Sequence, residues 1–292
     1  MQNAPTDYAC WDQSQLDREY SPSSCAHRPL GTYLEEYAER SRLAREGLSG
    51  FRDLAYGADD AETLDLFVPA TTARGLQVFF HGGYWSALSK NEFSYLARPF
   101  VDAGMAFASI NYSLLPAVDL DTIVRQSRDA LLWLAENAAR FNIDCERIFL
   151  SGHSAGAHLA AMCLGTDWNA YTQRGAPALG GACLISGIFD LAPLLHTSEN
   201  SIFRLTPESV TRNSPVNHLP AARHSLVLAV GEQETQEFQL QTRTYAAACA
   251  SRGISCAMLP MPGLDHFEVV SELGNPDSPL FRAALDQMRS AH

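Results

Sequence analysis

Apolar and polar positions along the chain follow two periods, and the two periods alternate. Residues from about 30 to 47, in GTYLEEYAERSRLAREG, read as a helix with Gly47 or Gly50 as its stop. ETLDLFVP follows, with Leu64, Leu66 and Val68 alternating against polar neighbours, the pattern of a half-buried antiparallel strand. GLQVFF and GMAFASINY are short apolar runs bounded by turns, the pattern of buried strands. From Leu120 to Arg140 the period turns helical, with Leu120, Ile123, Val124, Leu131 and Leu134 on one stripe. The rhythm then continues as RIFL (strand), AGAHLAAMCL (helix), ACLISGIF and SLVLAV (strands), QEFQLQTRTYAAACASRG (helix), ISCAMLP (strand) and a last helix near 277–290.

Strands alternating with helices predict an α/β protein with a mainly parallel sheet covered on both faces and an early antiparallel strand. The polar, turn-rich residues 1–28 read as an irregular arm. Residues 1–50 then form an arm and helix placed to cap a site, and 51–292 the catalytic domain, with no linker between them. The Pro- and Ser-rich stretch between Leu191 and Pro220 breaks the rhythm and is expected to run over the top of the sheet.

Composition narrows the function classes. A formal net charge of −12 argues against nucleic acid or an anionic membrane as partner, and a small-molecule substrate is expected instead. No apolar stretch is long enough to span a membrane, and the first residues lack a basic region followed by an apolar core. The seven cysteines are scattered without a C-x-x-C, which fits neither a disulfide framework nor a zinc site. A cytoplasmic protein without metal or cofactor is expected, and a homodimer is left open.

Two glycine-rich stretches carry the candidate chemistry. Gly152-His153-Ser154-Ala155-Gly156 is a G-x-S-x-G between a strand and a helix. That context places a serine on a strained turn at a helix N-terminus, where the Ala155 N–H can meet a developing oxyanion. His81-Gly82-Gly83-Tyr84-Trp85 follows the strand that ends at Phe80. Its bare backbone suits further oxyanion donors, the N–H groups of Gly83 and Tyr84 with Gly82 as alternate, and His81 is expected to prop the loop. A serine needs a base and the base needs an acid, and in this arrangement the chain order is serine, acid, histidine. His266, after the last strand, is in the position expected of the base. Glu234, just past SLVLAVG, is the first choice of acid, with Asp190, Asp265 and Glu232 as alternatives. Trp85, Tyr112 and Phe189, with Tyr84, are candidate walls of an aromatic pocket.

Beyond these motifs, DLAYG…LDLFVP, HGGYW, INYSLLPAVDLDTIV, GHSAGAHLAAMCLGTDW, LISGIFDLAPL, NSPV, GEQETQEF and LDHFEV together resemble the serine-hydrolase kynurenine formamidases. These are members of the α/β-hydrolase superfamily related to the hormone-sensitive-lipase-like esterases. The resemblance implies an α/β-hydrolase fold, Ser154 as nucleophile, His266 as base, and cleavage of an N-formyl amide of an aromatic amine, with carboxylester hydrolysis as the alternative. Glu234 falls where that family usually has aspartate, four residues before Phe238. Asp190 becomes part of the SGIFDL block and loses ground as the acid.

Overall fold

The computed structural model describes residues 8–144 and 147–290; Cys145 and the first seven residues of the arm lie outside them. In chain order the elements are α1 (Gln13–Glu19), α2 (Leu30–Gly47), β1 (Gly50–Ala55), β2 (Thr63–Phe67), β3 (Leu76–Phe80), α3 (Ala97–Asp102), β4 (Ala106–Ile110), α4 (Leu120–Asn137) and β5 (Ile148–His153). They continue with α5 (Ala155–Leu164), α6 (Trp168–Tyr171), β6 (Leu179–Ile185), α7 (Asn200–Phe203), α8 (Pro207–Asn213), β7 (Ser225–Gly231), α9 (Gln236–Ser251), β8 (Ser255–Met261) and α10 (Pro279–Arg289).

The eight strands form one sheet in the order β1-β2-β4-β3-β5-β6-β7-β8. β1 pairs with β2 and β2 with β4 antiparallel, and the other neighbours are parallel. The central strands read as continuous apolar runs because each face of the sheet is covered by its own helices. Leu76, Val78 and Phe80 of β3 and Leu150 of β5 pack with α4, α5 and α9 in one apolar cluster. Phe79, Phe107, Phe149 and Ile185 point the other way and pack with α2, α3 and α10. Adjacent residues thus serve opposite layers, as the period of two requires.

Two expectations change, and one strand, β1, was not anticipated. β2 is not half-buried: Asp65, the polar residue of its alternation, is fully buried. Its carboxylate lies 2.9 Å from Lys90 Nζ and 3.4 Å from Arg45, so a buried ion pair replaces solvent on that face. β1 carries no clear sequence signal because it is an exposed edge strand, with Phe51 at 43% exposure. α4 ends at Asn137, and a tight turn over 138–141 takes the remaining positions to the left-handed Asn142. Among the described residues, no helix is long and apolar enough to cross a membrane.

Candidate active site

β4 lies on one side of β3, while β5 to β8 extend on the other. The strand order therefore reverses between β3 and β5, and a crevice opens beyond the carboxyl ends of such strands. The two glycine-rich motifs leave the sheet there, one from each strand.

Ser154 follows the last residue of β5 and caps α5 with φ 55° and ψ −120°, a positive-φ conformation that costs backbone energy. Neighbouring contacts hold it there. Its N–H donates to the Ile185 carbonyl at 2.8 Å, and its carbonyl accepts from Ala157 and His158 at 3.0 and 3.2 Å. The flanking glycines are required by close approach: a Cβ on Gly152 would overlap the Gly156 carbonyl, and one on Gly156 the carbonyls of Phe80 and His81. The turn is thus pressed directly against the end of β3.

The second loop is positioned by that contact. A Cβ on Gly82 would lie 3.0 Å from the His153 carbonyl and 3.4 Å from Ser154 Cβ. Gly83 has φ +105°, and a Cβ there would overlap the Ala87 carbonyl, so glycine is needed for the turn itself as well as for access. Tyr84 and Trp85 continue with φ 49° and 56°. His81 is fully buried and its Nδ1–H donates to the Gly82 carbonyl at 2.7 Å. Tyr112 stacks on its ring at 4.1 Å and donates its hydroxyl to the His81 carbonyl at 2.7 Å. Burial pushes the His81 imidazole down to about 4, so it stays neutral as a loop prop.

His266 lies on the loop after β8, with Nδ1 2.6 Å from Glu234 Oε2. Glu234 is buried, and its other oxygen accepts the Gly231 N–H at 2.7 Å and the Ser186 hydroxyl. Three donors to one carboxylate fix its orientation. His153 supports the histidine from below: its Nε2–H donates to the His266 carbonyl at 2.8 Å. Burial, and then the neighbouring His266, hold His153 far below the usual imidazole range, which keeps it a neutral donor. Its place inside the G-x-S-x-G gave no hint of this role, which depends on a contact across 113 positions.

Ser154, His153, His266, Gly83 and Tyr84 line one cavity of about 530 Å³. Ala155 sits directly behind the serine, fully buried at the start of α5. The rival acids are engaged elsewhere. Asp190 accepts the Ala192 N–H at 2.9 Å, and Glu232 accepts from Gly263 at 3.2 Å. Asp265 accepts the N–H groups of Phe267, Glu268 and His27 and the Tyr33 hydroxyl. Burial raises the Asp265 carboxyl, but those hydrogen bonds outweigh it and leave it below the usual range.

The expected pocket aromatics are a correction. Trp85, Tyr112 and Phe189 are buried and none lines the cavity. Trp85 donates its indole N–H to His158 Nδ1 at 3.2 Å, Tyr112 holds His81, and Phe189 stacks on Tyr245 at 4.2 Å. Of the four aromatics considered, Tyr84 lines the cavity; the other aromatic walls are Tyr20 and Tyr37 from the arm and α2, Phe93, Phe203 from α7, and Phe267. The sequence held no signal for these beyond residue type, since they come from five separate segments.

Among the described residues, His27, Asp265 and Glu268 are the group whose ligand atoms approach within 4.8 Å. Those atoms already serve hydrogen bonds: His27 Nδ1 meets Glu268 Oε2 at 3.0 Å, and both Asp265 oxygens accept donors. His158, on α5, spends Nε2 on the Asn213 carbonyl at 2.7 Å.

The protein family BD-FAE matches residues 64–183, the stretch that contains both glycine-rich loops. The kynurenine formamidase of Salmo salar is 34% identical, with 95% of this chain and 97% of the relative covered. That of Danio rerio is 32% identical over 92% of this chain and 94% of its own. Among solved structures, a Silicibacter sp. TM1040 protein given as a candidate thioesterase superposes with a TM-score of 0.82 at 30% identity, covering 93% of this chain and 99% of that one. An esterase of Pyrobaculum calidifontis shares the fold at TM-score 0.67 and 18% identity, over 96% of this chain and 97% of its own. With a third of its residues identical over nearly the full length of such relatives, the chain is a hydrolase of the α/β-hydrolase fold and belongs to the kynurenine formamidase family.

Proposed function

We propose that the protein hydrolyses the N-formyl amide of an aromatic amine, of the N-formylkynurenine type, by serine attack through a formyl-enzyme. The observation that carries this reading is a single cavity shared by Ser154, His266 and the Gly83–Tyr84 loop, with Glu234 2.6 Å behind the histidine.

His266 takes the Ser154 proton as Oγ attacks the formyl carbon. The N–H groups of Gly83, Tyr84 and Ala155, with Gly82 as alternate, stabilise the oxyanion of the tetrahedral intermediate. Glu234 stabilises the imidazolium and keeps its Nδ1–H directed inward. The proton on His266 passes to the departing amine nitrogen as the C–N bond breaks. Water then attacks the formyl-serine, giving its proton to His266, which returns it to Ser154 Oγ as formate leaves.

The cavity is of ordinary small-molecule size. Six aromatic rings line it, which suits an aryl amine. Asp17 and Glu199 lie in its wall and neither lysine nor arginine does, so a substrate ammonium is matched and a substrate carboxylate is left to face solvent. Residues 8–47 act as the cap, since Asp17, Tyr20, Leu30, Leu34 and Tyr37 close the side opposite the sheet. The esterase relatives favour a second reading, hydrolysis of small carboxyl or aryl esters by the same groups. Steady-state kcat/KM on N-formylkynurenine against p-nitrophenyl esters separates the two. We expect the formamide to be preferred; negligible formamide turnover beside fast ester cleavage would transfer the assignment to the esterase.

A further inference from the structure

A second, smaller pocket of about 280 Å³ lies beside the catalytic cavity. It is walled by residues 116–121, at the start of α4, and by Ile202, Arg204, Leu205 and Ser209 of the segment between β6 and β7. Pro116, Ala117 and Asp119 are exposed, so this pocket opens to solvent. Phe203 lines both spaces and is the residue common to them.

The ring is held firmly in that position. Phe203 is 2% exposed, stacks on Tyr84 at 5.2 Å and meets Trp85 edge-on at 5.8 Å. Its helix is one turn long, ended by Arg204 in the left-handed conformation. Asn200 clamps that turn by donating to the Leu195 carbonyl at 3.1 Å and accepting the Leu205 N–H at 2.8 Å. A side chain fixed by ring contacts and by a clamped turn forms a wall, because moving it would forfeit packing on both sides.

We infer that Phe203 is a specificity-determining partition: its ring ends the catalytic cavity and limits the length of the substrate group that points toward α7. Removing the ring joins the cavity to the outer pocket and opens a passage to solvent. Pro116, Ala117, Val118, Leu120 and Leu205 supply apolar surface along that passage, beside Asp119, Arg204 and the Arg212-paired Asp121, so the group admitted is a hydrocarbon that lies on the apolar side. The inference rests on Ser154 acting in this cavity, and it holds for formamide and ester substrates alike.

The test compares kcat/KM along p-nitrophenyl acyl esters from acetate to octanoate, and along acetate esters of lengthening alcohols. Phe203→Ala is expected to raise the long-to-short ratio in at least one series by about 10-fold or more, the size of effect a hydrophobic pocket yields for added methylenes. Phe203→Leu, which keeps apolar packing, should give a smaller shift in the same direction. Val118→Trp fills the outer pocket. In the Phe203→Ala background it should bring the ratio back down, and in the wild type it should leave the ratio alone. Fluorophosphonate labelling of Ser154 reports whether each variant keeps a folded site. Labelled Phe203 variants with the wild-type ratio in both series would overturn the partition. So would a wild-type ratio that already falls on Val118→Trp, which would mean that the two spaces are joined with the ring in place. A wild type that cleaves esters but not N-formylkynurenine would defeat the formamidase reading and leave this test intact.

Discussion

Ser154 and Tyr20 face the same cavity, and they reach it in different ways. The serine is placed by its immediate neighbours: a strand end, a positive-φ turn, and two glycines whose missing side chains let that turn close and α5 meet the end of β3. Tyr20 is placed by partners 64 to 217 positions away. Its hydroxyl donates to Glu237 at 2.9 Å, its carbonyl accepts the Tyr84 hydroxyl, and the adjacent Glu19 carbonyl accepts the Thr235 hydroxyl at 2.7 Å. The rest of the roof is fastened in the same manner. Asp17 accepts the Ser198 N–H and hydroxyl at 2.8 and 2.6 Å, and Gln13 donates to the His196 carbonyl at 2.8 Å. Asp265, next to His266, accepts the His27 N–H at 2.8 Å and the Tyr33 hydroxyl. The floor of the site is therefore set by backbone sterics within the sheet, and the roof by long-range contacts, polar ties of about 1 kcal/mol each beside the apolar packing of Leu16, Tyr20, Tyr33 and Tyr37.

The largest expected effects come from the floor. Ser154→Ala should lower kcat on N-formylkynurenine by about 10⁶-fold, by analogy with loss of a serine nucleophile elsewhere. Residual turnover near the wild-type rate would mean that another group attacks. Glu234→Ala should cost about 10³–10⁴-fold in kcat with little change in KM, as loss of a triad acid does. Asp190→Ala should cost far less, since its carboxylate caps a turn at Ala192. The reverse ranking of these two variants would reassign the acid.

Acid should separate floor from roof. His81, His153 and His158 are fully buried in the floor and held neutral, with His81 and His158 pushed down to about 4 by burial. Below their ordinary value of 6.5, the unfolded chain takes up protons that the folded chain refuses. Stability should then fall as pH drops from 6.5 toward 4, by up to about 1.4 kcal/mol per pH unit for each histidine. The roof carboxylates Asp17 and Asp265 are shifted down, so their contribution is intact above their ordinary value of 3.8 and is lost only as pH falls below it. Urea midpoints measured from pH 7 to 3 should decline in the first interval; a flat profile between 6.5 and 4 would contradict the neutral buried histidines.

The smallest effect belongs to a single roof tie. Asp17→Ala should raise KM several-fold, about 1 kcal/mol, through the lost tie to Ser198 together with the lost partner for a substrate ammonium, and leave kcat nearly unchanged. A loss of kcat comparable to that of Glu234→Ala would show that the roof takes part in the chemical step and does more than close the cavity.

The strand and helix order was legible in the sequence, because burial on two faces writes continuous apolar runs into β3 to β7 and a 3.6 period into α4. Ser154, the G-x-S-x-G context and the HGG loop were legible for a related reason: where backbones touch, only glycine fits, and the constraint is local in the chain. Glu234 could be narrowed to a few carboxylates by chain order alone. Its 2.6 Å approach to His266 came from the registration of β7 against β8. The pocket aromatics were misread because residue type does not tell which way a ring points. Trp85 and Tyr112 stand beside the right motifs and turn into the core, while Tyr20 and Phe203 enter the cavity from segments with little periodicity and Tyr37 from α2, whose helical period does not tell what its buried face meets. What the chain determined by itself was therefore what sterics and burial impose at short range. The tertiary structure decided which carboxylate meets His266, the cavity walls and the roof, because each depends on side chains brought together by contacts that no local pattern encodes.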